Sequence, residues 1–116
     1  MSQDKERMHR LQDIAALVMD SRSQVLRRAN DDRAALLKQL SDLEAGSNGA
    51  DLPWPAPEMT RFAYEQWAAG RRAEINLRLA AQTVVCLQAA DETRQAFGRQ
   101  QALNRIADIR RKGQLS

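Results

Sequence analysis

The sequence predicts an all-α protein: two long helices folded into an antiparallel coiled-coil hairpin, the second overhanging at its C-terminal end. Three observations lead there. Aromatic residues make up 4% of the 116 residues, while alanine and arginine dominate. That composition argues against a sandwich or barrel, which needs β-branched and aromatic residues and frequent turns. All three prolines fall between Pro53 and Pro57, so the chain has one strong break. On both sides of it apolar residues recur at spacings of three and four.

The break sets the element boundaries: helix over 3–45, loop over 46–56, helix over 58–112. All of it belongs to a single domain spanning 1–116. Ser2 suits an N-cap, with Asp4 and Glu6 in the first turn. Gly46 suits a C-cap. Pro57 followed by Glu58 suits a helix start, where a missing N–H costs nothing and a carboxylate meets the positive end of the dipole. Gly113 suits the second stop. Gly70 and Gly98 lie inside the second helix, each costing about 1 kcal/mol relative to Ala.

In the first helix Ile14, Val25 and Leu36 are spaced by eleven, as are Val18, Ala29 and Leu40, and Leu43 closes the row. Eleven-residue spacing corresponds to a nearly straight helix. A heptad begun at Leu11 and Ala15 fits worse, since it puts Arg22, Asp32 and Gln39 on the seam. In the second helix the row is Phe62, Gln66, Ala69/Gly70, Ala73, Leu77, Ala80/Ala81, Val84 and Leu87.

Placing Ala45 opposite Glu58 makes facing residue numbers add to about 103. Leu40 then meets Phe62, Ala29 meets Ala73, Leu26 meets Leu77, and Cys86 faces the region of residue 17. In this register the second helix runs past the first by about 12 residues, or ~18 Å. Such a hairpin buries one stripe per helix, less than a chain of this length normally buries, which points to an assembly.

Charge reinforces the overhang. The whole chain is only +3, yet residues 94–116 hold six basic groups and one acidic group. A basic, apolar, unaccompanied helix end is a candidate partner-docking segment. Its residues are Phe97, Arg99, Leu103, Arg105, Ile106, Ile109, Arg110 and Arg111. Nucleic-acid binding would bring aromatic stacking or a recognised motif, and only Phe97 lies in this stretch, so that reading ranks third. A second candidate patch is Trp54, Tyr64 and Trp67 near the break, read either as a small satellite core or as interface anchors.

No catalytic, metal or cofactor chemistry is expected. His9 is the only histidine and Cys86 the only cysteine, and no glycine-rich phosphate loop follows a strand. The acidic pairs Asp31/Asp32 and Asp91/Glu92 read as solvated ion-pair faces. One cysteine fits a reducing compartment. No apolar run reaches the ~18 residues of a membrane span, and the charged N-terminus has no signal-peptide core. The expectation is a cytoplasmic protein that is not an enzyme.

The stretch Trp67-Ala-Ala-Gly-Arg-Arg-Ala-Glu-Ile-Asn-Leu-Arg-Leu-Ala80 and the run Ala96-Phe-Gly-Arg-Gln-Gln-Ala-Leu103, within a two-helix chain rich in Ala, Arg and Gln, resemble the stalk proteins of bacterial type III export. These are the flagellar FliJ family and its YscO-type virulence counterparts. The resemblance implies a coiled-coil component of the export apparatus, docking on a hexameric export ATPase and an export-gate protein, peripheral to the membrane through them. The alternative from another class is a homo-oligomeric helical or export-chaperone-like module with no ATPase partner. There Trp67, Leu26, Leu37 and Val85 would face neighbouring copies.

Overall fold

In the computed structural model the described residues are 2–47 and 60–115. They form two helices, α1 (Ser2–Ser47) and α2 (Arg61–Leu115), which pack antiparallel. Among the described residues neither helix is apolar enough to cross a membrane. The chain forms two compact units. The first unites Met1–Arg28 with Leu87–Ser116, and the second is Ala29–Cys86.

Helix ends follow local chemistry. Thr60 caps α2: the Ala63 N–H donates to Thr60 Oγ1 at 3.2 Å and the Tyr64 N–H donates to the Thr60 carbonyl at 3.1 Å. The side chain thereby satisfies one orphan donor of the first turn, that of Ala63, while the Thr60 carbonyl accepts the first intrahelical bond. The expected start at Pro57 and the loop to residue 56 fall largely outside the described residues, as does Trp54. Gly46 and Gly113 both lie within helices rather than ending them.

The helices meet along a heptad seam, which corrects the eleven-residue expectation. On α1 it runs Met8, Gln12, Ala15, Met19, Arg22, Leu26, Ala29, Arg33, Leu36, Leu40, Leu43, and all but Arg22 are buried or half-buried. The expected contact residues Ile14, Val18 and Val25 are exposed. The cause is polar residues on the seam, each bonding across it. In the first unit the Gln12 amide donates to Asn104 Oδ1 at 2.9 Å, and Arg22 donates to Glu92 at 3.1 Å. In the second, Arg33 Nε donates to Thr83 Oγ1 at 3.1 Å.

On α2 the seam is Tyr64, Ala68, Ile75, Leu79, Gln82, Cys86, Ala89, Thr93, Ala96, Gln100, Leu103 and Ala107. This is the face opposite the expected one. Phe62, Leu77, Val84 and Leu87 all point to solvent, with Leu77 76% exposed. Bonded pairs such as Arg22 with Thr93 and Ala29 with Cys86 show that facing numbers add to about 115, not 103. Ala29 therefore faces Gln82 and Cys86 rather than Ala73.

That shift of about three turns removes the C-terminal overhang. Gly113 lies level with Ser2, and Ala107, Asp108, Arg110 and Arg111 share a groove with Asp4, Met8 and His9 of α1. The surplus length of α2 falls at its first turns instead.

Candidate protein-docking faces

The eight residues expected to form one docking segment are distributed around α2. Leu103 is half-buried on the seam, while Phe97, Ile106 and Ile109 are exposed. Phe97 follows buried Ala96 and Ile106 precedes half-buried Ala107, so at 100° per residue the two occupy opposite flanks. Arg99, Arg105 and Arg110 are exposed, and Arg111 is paired with Asp108 at 3.1 Å. Arg110 and Arg111 line the groove of about 270 Å³ against α1.

The aromatic patch divides as well. Tyr64 is 2% exposed and belongs to a core with Leu43, Ala68 and Ile75, against which Leu36 and Leu40 pack. Its hydroxyl donates to the Leu43 carbonyl at 3.5 Å. Trp67 stays partly exposed, its ring tilted 42° to Tyr64 with centroids 5.8 Å apart. In the second set of candidate rows Leu26 is half-buried on the seam, whereas Leu37 and Val85 are exposed.

Two apolar surfaces went unrecognised in the sequence. In the first unit Leu11, Ile14, Val18 and Val25 form an exposed row on α1, with Ile106 of α2 at the level of Leu11. In the second unit Phe62, Leu77 and Val84 stand on the outward side of α2. The signal was available once the seam is assigned to the heptad, because these are the large apolar residues left over. Soluble proteins scatter such residues singly, but rows of them mark contact surfaces.

Electrostatically the units differ. The first holds twelve basic and seven acidic residues and the second six and eight. Arg22–Glu92 is the one ion pair joining the helices among the described residues. The other four lie within α2. Exposed pairs of this kind contribute about 1 kcal/mol or less. Asp91 pairs with Arg94, whereas Asp31 and Asp32 are exposed. No group of three or more metal-ligating side chains occurs among the described residues. Cys86 is buried, and its thiol donates to the Ala29 carbonyl at 3.2 Å.

No protein-family model, curated protein or solved structure matches the chain. The fold and surface define a class: a two-helix antiparallel coiled coil with exposed apolar rows, the features of an interaction module.

Proposed function

We propose that the chain is a non-enzymatic docking module whose first unit binds an acidic, partly apolar surface of a protein partner. The exposed row Leu11, Ile14, Val18 and Val25 carries this reading. It sits in the unit with the basic surplus, so apolar burial supplies affinity and the basic rim supplies orientation. The narrower form is a cytoplasmic component of a bacterial flagellar or type III export apparatus, meeting its ATPase and gate. What supports it is the two-helix fold together with the resemblance of the stretches at 67–80 and 96–103. In this form the basic end would enter an ATPase ring as a helix pair, since Gln12 binds Asn104 there, and not as a lone helix.

Crosslinked pull-down from the source cell tests both levels. The full chain should capture an acidic protein, and Leu11→Asp with Val18→Asp should abolish capture while helicity is kept. Capture unaffected by both substitutions would refute the docking face. Capture of proteins that never include an export ATPase or gate component would refute the narrower form alone.

A further inference from the structure

We infer that the chain pairs with a second copy of itself, antiparallel, through the outward face of α2 in the second unit. The inference rests on reading the chain as an interaction module but uses a different surface, so the two can fail separately.

The face is uncharged for more than six turns. From Phe62 to Val84 every residue at its centre is apolar, small or an amide. Its large members are openly solvated: Phe62 is 69% exposed and Val84 62%. Between them lie Gly70, Ala73 and Ala80, all exposed. A Cβ built on Gly70 would meet nothing within 4 Å. Nothing in its own chain occupies that site, and a neighbouring backbone can come close there.

Charge selects the occupant. Glu74 and Arg78 lie on the same flank of this face. Arg78 has no ion pair among the described residues, and Glu74 meets only Arg71, at 2.9 Å on its own helix. In an antiparallel pair related by a two-fold axis, each flank meets its own copy. An axis near residue 76 sets Glu74 level with Arg78 of the second copy and, by symmetry, the reverse. Two ion pairs therefore form from one choice of register. The same register lays Leu77 between Ala73 and Leu77 of the second copy, and Gly70 between Ala80 and Val84, so the small residues leave room for the large ones. A parallel pair would bring the opposite flank, with Asn76 in the middle, against Arg78 and offer it no carboxylate at that level.

Sedimentation equilibrium of the full chain, from about 1 µM to 1 mM, tests this. The expected result is a reversible dimer. Leu77→Glu should abolish it with helicity unchanged, because that side chain already faces water. Glu74→Arg and Arg78→Glu should each weaken association by roughly tenfold, and the double swap should restore it. A monomer at every concentration would overturn the inference, as would a dimer indifferent to Leu77→Glu. A double swap no better than the single ones would overturn the register. A monomer whose α2 face crosslinks to a different protein would overturn the second copy as occupant while leaving the docking reading standing.

Discussion

The two units share one heptad frame and hold it by different means. The second buries Tyr64, Ile75, Ala68 and Leu43 and packs Leu36 and Leu40 against them. The first buries only small residues, Ala89, Thr93 and Ala96, and joins its helices through Gln12–Asn104, Arg22–Glu92 and the Thr93 hydroxyl near the Arg22 carbonyl. Apolar burial stabilises in proportion to area, whereas exposed polar bonds contribute little net free energy while restricting geometry. The second unit therefore holds the larger share of fully buried apolar side chains, and the first holds more of the polar bonds between the helices. Leu11, Ile14, Val18 and Val25 of the first unit face outward, while Met8, Met19, Leu26 and Leu103 are half-buried on its seam.

Substitutions can break this contrast, beginning with the largest effect. Ile75→Ala should cost about 2–5 kcal/mol, read as a lower urea midpoint by circular dichroism. Leu17→Ala, at an exposed site in the first unit, should be nearly silent. Equal losses at both sites would end the comparison. Next, Thr60→Ala should cost about 1 kcal/mol by leaving the Ala63 N–H unpaired, and amide exchange should speed up at Ala63 specifically.

The fold class was legible because composition and the proline cluster speak directly to it. Register was not. Apolar periodicity is read by assigning polar residues to solvent, and here Gln12, Arg22, Arg33, Gln82 and Thr93 occupy or border the seam. On α1 the rejected heptad had Ala15, Ala29, Leu36 and Leu43 in their true places. It failed by one position, taking Leu11 where the structure uses Gln12. On α2 two apolar rows compete, and the row richer in large residues is the outward one. Matching large with large could not arbitrate, since a chain with so many alanines offers acceptable pairings in several registers. The docking segment at 97–111 inherited that error: its isolation from α1 was not real.

Two smaller effects sharpen the contrast. Gly98→Ala in the first unit should stabilise by up to about 1 kcal/mol, because the site is helical and an added Cβ meets nothing within 4 Å. The melting temperature should rise by a few degrees, and a fall would show packing against Gly98 in solution. Last, a double-mutant cycle on Arg22 and Glu92 should give a coupling below about 1 kcal/mol that fades with added salt. A larger, salt-insensitive coupling would mean that polar contacts stabilise the first unit as well as aligning it.

The Ala29 carbonyl has a consequence of its own. Besides its place in the backbone ladder of α1, it accepts from the Gln82 amide at 3.0 Å and from the Cys86 thiol at 3.2 Å, using acceptor capacity that most helix carbonyls leave to water. Extra donors soften a C=O bond, so an isotope label at this one peptide should shift to higher frequency when Gln82→Leu and Cys86→Ala remove them. The molecule thus contains its own spectroscopic gauge of helix contact, readable without a bulky reporter group.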